Sequence, residues 1–352
     1  MDELESAARQ LIRDGVVSGI SLGWICGDDS RNCYFGKQGV MEPFDEREIR
    51  AGLYYDLASL TKVVGTTTRI IQLMEAGRIS TETPVSVLLE RFRYPEITVG
   101  QLLLHNSGLP AEIRNKGCWT RDTILDELYD TEPVHPPEQC FLYSDVGFIL
   151  LGLIIEMLDG DTLEESFRNH IFTPLGMNDT GYRLAGDPSL FVPTECTAER
   201  GCICGEVHDK KAYLLGACGS AGLFSTLADM MTFADALIRQ SQVLFGQAGF
   251  LLLDQTDVSG RTYGWSKEYG SHTLYHTGFT GTSLLIDQKA GAGLVILTNR
   301  IHPVRENTLF LEKRKELNHL FMGRGCREGL LDERISSVES GEDGSCPTAG
   351  RH

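Results

Sequence analysis

Ser59 and Lys62, in the run Ser59-Leu60-Thr61-Lys62, place a hydroxyl and an amine one helical turn apart. At i, i+3 spacing both side chains leave the same helix face. The amine can then help take the serine proton and leave an alkoxide able to attack a carbonyl. Chance alone supplies about one S-x-x-K in a chain this long, so the pair gains meaning from two later runs in the chain: Tyr143-Ser144-Asp145, then His276-Thr277-Gly278. An acyl-transfer site needs a nucleophile, a base, an oxyanion pocket and a hold on the substrate. Ser59 is the candidate nucleophile, at the start of a helix whose dipole favours negative charge nearby. Lys62 is the first candidate base, since burial disfavours a charged amine.

Taken in order, the three elements resemble the S-x-x-K, S-D-N or Y-x-N, and K-T-G set of the β-lactamase-related serine hydrolases. The resemblance is to the branch of class C β-lactamases, DD-peptidases and penicillin-binding-protein-like esterases. It is supported by Leu102-Leu103-Leu104-His105-Asn106-Ser107-Gly108-Leu109 and Gly278-Phe279-Thr280-Gly281-Thr282-Ser283, and it runs from about residue 5 to residue 322. It implies Tyr143 beside the nucleophile as a second base candidate, in phenolate form next to a cation such as Lys62. It also implies an oxyanion pocket made by the backbone N–H groups of Ser59 and Phe279, the latter following Gly278, which lets the strand edge come close. Substrate contacts are expected from Asp145, His276, Thr277 and Gly278.

Two positions depart from the family pattern. Asp145 stands where better-known relatives have Asn, and a carboxylate accepts hydrogen bonds but cannot donate as an amide does. Pairing with Asp145 would keep Lys62 charged and favour Tyr143 as the working base. His276 replaces the lysine of K-T-G and is mostly neutral above its usual pKa of about 6.5, so substrates bearing a free carboxylate should bind less well. Arg300 is the candidate for a fixed charge in its place.

The elements that must position these residues follow from hydrophobic period and turn chemistry. Residues 2 to 14 read as an amphipathic helix. Strands are expected over Val17 to Cys26 and Cys33 to Phe35, separated by Gly27-Asp28-Asp29-Ser30. A helix then carries Ser59 and runs to Ala76, with Gly77 as its C-cap. Helical patterns dominate to about residue 240, clearest at Phe148 to Leu158 and Leu227 to Ile238. Strands return at Thr262 to Trp265, Thr273 to His276, Ser283 to Asp287 and Gly293 to Thr298, and a helix follows over Leu309 to Met322. Strands at both ends imply one antiparallel sheet formed from residues about 15–40 and 260–300, with helices packed on it. The family fold agrees: an α/β (α+β) chain with a five-stranded antiparallel sheet flanked by helices beside a largely helical region of about 60–240. Residues 1–323 are expected to form this domain and 324–352 a disordered tail. There is no G-x-S-x-G, so the α/β-hydrolase elbow is not a competing explanation.

The 352 residues carry 49 acidic against 32 basic side chains, a formal charge of -17, which disfavours nucleic acid or an anionic membrane as partner. The start Met1-Asp2-Glu3-Leu4-Glu5 lacks the basic and apolar regions of a secretory signal. The longest apolar stretch, Phe148 to Met157, is too short to span a bilayer. A cytoplasmic location without a membrane anchor is therefore expected. Ten cysteines in such a chain read as reduced thiols. Cys196, Cys202, Cys204 and His208 fall within thirteen residues, but their spacing matches no standard zinc pattern, and they are read as free thiols in a loop with no metal. The set Ser59, His208 and Asp209 is discounted as a triad, since adjacent side chains diverge and Lys62 fills the post.

The expected function is a serine hydrolase that forms an acyl-enzyme at Ser59 on a small ester or amide, of the esterase or D-amino-acid peptidase type, with weak β-lactam acylation and no cofactor. The alternative is a non-hydrolytic, penicillin-binding-like sensor on the same fold.

Overall fold

The computed structural model describes residues 1–114 and 119–324. The expected tail lies outside the described residues except for Arg324, which closes the last helix. An opening helix, Asp2–Arg13, buries Leu4, Ala8 and Leu11. It leads into a hairpin of β1 (Gly19–Cys26) and β2 (Asp29–Gly36). The second strand begins well before its apolar residues because Asp29 to Asn32, all exposed, extend the ladder opposite β1 through their backbone.

Short pairings hold the middle of the chain. β3 (Tyr55–Asp56) pairs with β6 (Phe224–Ser225), and β4 (Cys196–Thr197) pairs with β5 (Gly201–Cys202). The main sheet is completed by β7 (Arg261–Thr262), β8 (Trp265–Ser266), β9 (Thr273–Thr277), β10 (Ser283–Asp287) and β11 (Ala292–Thr298). It is antiparallel, in the order β2-β1-β11-β10-β9-β8-β7, and so has seven strands where five were expected. The difference lies at one edge. Gly264 takes a φ of +74°, which only glycine adopts freely, so the run Thr262 to Trp265 folds back as a two-residue hairpin instead of continuing as one strand.

Each face of the sheet is covered. Ile20, Leu22 and Trp24 of β1 pack with Leu4, Ala8 and Leu11 of the first helix and Phe310, Leu317 and Phe321 of the last helix, Leu309–Arg324. On the other face, Ile25, Leu284, Ile286, Val295 and Leu297 join the larger core of the helical region. The helix Leu227–Ile238 lies close here: a methyl group on Gly23 would strike Met231 Sδ, and one on Gly293 would sit 2.9 Å from Ile238 Cδ1. The helix Asp145–Asp159 is buried along most of its length and carries Asp145 at its N-terminus. Among the described residues no helix is long and apolar enough to cross a membrane. The reduced-thiol expectation holds at Cys33, Cys140, Cys196, Cys202, Cys204 and Cys218, but Cys26 is engaged in a disulfide.

Candidate active site

Ser59 sits in a single 3₁₀ turn, Ala58–Leu60, followed by a π-helical stretch Lys62–Thr67, and regular α-helix begins only at Thr68. The expected continuous helix is therefore replaced by tighter and wider turns of the kind that gather at functional sites. Ala58 has a φ of +46°, a left-handed conformation that costs a side-chain-bearing residue about 1–3 kcal/mol. The buried Asp56 carboxylate holds this shape, accepting from the Ala58 amide at 2.8 Å and from the His208 amide at 2.7 Å. Burial pushes the Asp56 carboxyl above its ordinary value, and these bonds act against that rise.

The i, i+3 relation survives the irregular helix: Lys62 Nζ donates to Ser59 Oγ at 3.1 Å. Lys62 is fully buried, donates to the Ser220 carbonyl at 2.8 Å and pairs with Asp145 Oδ1 at 2.7 Å. Burial alone would lower its pKa, but the Asp145 carboxylate and the Tyr143 oxygen outweigh burial and raise it. The pairing thus favours a charged Lys62, as the departure at Asp145 implied, over a neutral amine. The Asp145 carboxyl, resisted by its own burial, is pulled below the ordinary range by Lys62 and Lys211. Its place in the first turn of its helix also favours the charge. Tyr143 lies on the same cleft as Ser59, with Lys62 Nζ 5.0 Å from its ring centroid.

The cleft encloses about 430 Å³, and its walls include Ser59, Tyr143, Asp145, His208, Lys211 and Phe279. Two hydrogen bonds tie the nucleophile segment to the β9–β10 turn: Thr280 Oγ1 donates to the Asp56 carbonyl at 2.7 Å and Thr282 Oγ1 to the Leu57 carbonyl at 3.1 Å. A methyl group on Gly278 would strike both Thr282 Oγ1 and the Leu57 carbonyl, so only glycine permits this approach. Among the described residues no internal acceptor takes the Ser59 or Phe279 amide, which leaves both free for a developing oxyanion.

His276 is buried, its ring 6.2 Å from that of Tyr143. Burial, with the charges of Lys62 and Arg261, holds its imidazole well below the usual range. It is neutral and lies beneath the cleft wall instead of on it. Thr277 uses its carbonyl to hold His276 Nδ1 at 3.0 Å. Arg300 is also drawn away: its Nη1 donates to the carbonyls of Arg305 and Asn307, with its guanidinium 4.9 Å from the Phe279 ring centroid. The arginine on the cleft wall is Arg305.

Sequence reasoning missed several residues. Lys211, buried, pairs with Glu112 and reaches Asp145 Oδ2 at 3.6 Å and Asp209 Oδ2 at 3.5 Å. Glu195 binds Arg305 and accepts from His208 Nε2 at 2.8 Å, while the His208 ring stacks on Phe279 at 5.5 Å. His208 therefore serves Glu195 and not Ser59, which removes the triad reading. His105 Nδ1 accepts the Ser144 amide at 3.0 Å, and its ring lies 4.4 Å from Tyr143. Only His105 carried a signal, as part of a stretch that supported the resemblance. The Cys196, Cys202, Cys204 and His208 cluster also separates: Cys204 Sγ faces the Phe191 carbonyl at 3.3 Å and His208 faces Glu195.

A family model described as Beta-lactamase matches residues 4–316. The chain is 28% identical over 321 residues to an N-acetylmuramyl-L-alanine amidase of Bacillus subtilis (strain 168), covering 76% of this chain and 72% of the relative. It is 26% identical to a putative D-alanyl-D-alanine carboxypeptidase of Escherichia coli (strain K12), covering 78% and 77% of the two. A solved structure of EstCE1, described as a hydrolase with promiscuous acyltransferase activity, superposes with a TM-score of 0.74 at 18% identity, over 88% of this chain and 96% of that one; this likeness is one of fold.

Proposed function

Because the chain belongs to the β-lactamase family and is a serine hydrolase, we propose that it hydrolyses small esters or amides through an acyl-enzyme on Ser59. The observation that carries this reading is the chain of contacts from Ser59 Oγ to Lys62 Nζ at 3.1 Å and on to Asp145 at 2.7 Å, on a cleft shared with Tyr143. Lys62, kept charged, acts electrostatically. Tyr143, the second base candidate, takes the Ser59 proton as Oγ bonds to the carbonyl carbon, and the carbonyl oxygen takes up negative charge between the Ser59 and Phe279 amides. Collapse breaks the bond to the leaving group, which receives the proton from Tyr143. Water then repeats the sequence to release the acid and free Ser59.

Charge on the cleft narrows the substrate class. Lys210, Lys211 and Arg305 each already face a carboxylate: Glu199, Glu112 and Glu195 respectively. His276 is neutral where the lysine-bearing relatives hold a cation. The site therefore suits a scissile ester or amide without a free carboxylate beside it, and names such as amidase among the relatives fit an amide as well as an ester. The test compares kcat/KM on D-alanyl peptides ending in a free carboxylate with the same peptides as amides or esters. The neutral substrates are expected to react faster. Preference for the free acids, or cephalosporin hydrolysis near about 10⁷ to 10⁸ M⁻¹s⁻¹, would contradict the assignment.

A further inference from the structure

Cys196 and Cys202 face each other directly across the β4–β5 ladder. One ligand atom each from these two cysteines and from His302 lie within 4.8 Å of one another. The pair is extended on either side by soft donors: Cys196 Sγ is 3.7 Å from the Met41 thioether, and Cys202 Sγ is 3.9 Å from His302 Nδ1. Around a tetrahedral ion with metal–sulfur bonds of about 2.3 Å and metal–nitrogen bonds of about 2.0–2.1 Å, neighbouring ligand atoms lie about 3.5–3.8 Å apart. The Cys196–Met41 and Cys202–His302 separations are close to those edges.

His302 is buried and held in place, its ring edge-on to Phe44 at 5.8 Å and Nδ1 donating to the Thr194 carbonyl at 2.9 Å. Its Nε2 is also buried and has no partner among the described residues. The imidazole is thus fixed beside the thiols.

We propose that Cys196, Cys202, His302 and Met41 form a binding site for a thiophilic d¹⁰ cation, Zn²⁺ or Cu⁺, separate from the Ser59 cleft. Two thiolates, an imidazole and a thioether are soft donors, and that set selects such ions over calcium or magnesium. On binding, each thiol gives its proton to solvent as its sulfur–metal bond forms. His302 exchanges its Nδ1 hydrogen bond for a metal bond and carries its proton on Nε2. No oxidant or reductant is consumed. The ion would clamp the β4–β5 hairpin to the segments bearing Met41 and His302. Next to that hairpin sits Glu195, which holds His208 and Arg305 on the cleft wall.

The full chain, reduced with a phosphine and stripped with chelator, is titrated with Co²⁺, then Zn²⁺ against a colorimetric chelator and Cu⁺ against a bathocuproine competitor. Wild type is compared with Cys196→Ser, Cys202→Ser and Met41→Leu, all checked for native circular dichroism. The expected result is one equivalent of metal with a thiolate-to-cobalt charge-transfer band, both lost in each cysteine variant. Met41→Leu should weaken Cu⁺ binding more than Zn²⁺ binding, since the thioether is the softest of the four donors, and unchanged affinity for both ions would take Met41 out of the site. The proposal is overturned if the reduced, folded protein binds no equivalent, if binding survives the cysteine substitutions, or if intact mass shows only a Cys196–Cys202 disulfide that binds nothing once reduced.

Discussion

In the mechanism proposed above, the ion pair of Lys62 with Asp145 decides which group moves the serine proton. A lone buried amine sheds its charge, but Asp145 at 2.7 Å reverses that preference. In the proposed mechanism Tyr143 is then the acceptor, and Tyr143→Phe is expected to slow acylation by about 10²- to 10⁴-fold without unfolding the protein, measured by stopped-flow acylation. Asp145→Asn should retain acylation and change substrate preference, and loss of acylation in folded protein would refute this part of the mechanism. Ser59, Lys62, Tyr143 and Asp145 were legible because type, spacing and order along the chain were all readable. Lys211, Glu112, Glu195 and Arg305 were not, since each is an ordinary charged residue brought to the cleft by tertiary contacts from distant segments. Arg300 was misplaced for the same reason: the sequence cannot show that nearby loop carbonyls take its guanidinium.

Elements were legible where hydrophobic period and turn chemistry agreed. Ser283–Asp287 and Leu227–Ile238 match their expected bounds, because the first is a short apolar run ended by Asp287 and the second an apolar-rich helix capped by Thr226. The Ser59 helix was not, since the 3₁₀ turn and π-helical stretch depend on Asp56 holding the Ala58 and His208 amides, a contact across about half the chain. The β9–β10 turn is the other element on which the site depends. Gly278→Ala would force a methyl group against Thr282 and the Leu57 carbonyl and so displace the Phe279 amide. It is expected to lower kcat by about 10²- to 10³-fold, the range for loss of one oxyanion donor, with a smaller effect on KM. Unchanged kcat would remove Phe279 from the oxyanion pocket.

In the protein as a whole, the first and last helices close one face of the sheet and the helical region closes the other, an arrangement read from strands at both ends of the chain. Phe310 of the last helix, fully buried against the sheet, should cost about 3–5 kcal/mol when replaced by alanine, measured by denaturant unfolding. Buried neutral imidazoles make stability depend on pH, His105 and His276 most strongly. His105 and His276 are both held well below the ordinary range, chiefly by burial. The unfolded chain therefore binds their protons first as pH falls. Stability should drop below about pH 6.5 by about 1.4 kcal/mol per pH unit for each histidine. His276→Gln should flatten that dependence in part, and an unchanged slope would mean that the imidazole is charged in the folded protein. Asp145 acts in the same direction at lower pH: its depressed carboxyl stabilises the fold above about 3.9, its unfolded value, and that contribution is lost as pH falls through its folded pKa. The whole mechanism turns on Ser59 as the nucleophile, and intact-mass labelling with a fluorophosphonate reads that out. Wild type is expected to gain a single adduct that Ser59→Ala lacks; no adduct on folded wild type, or an adduct that persists in Ser59→Ala, would contradict it.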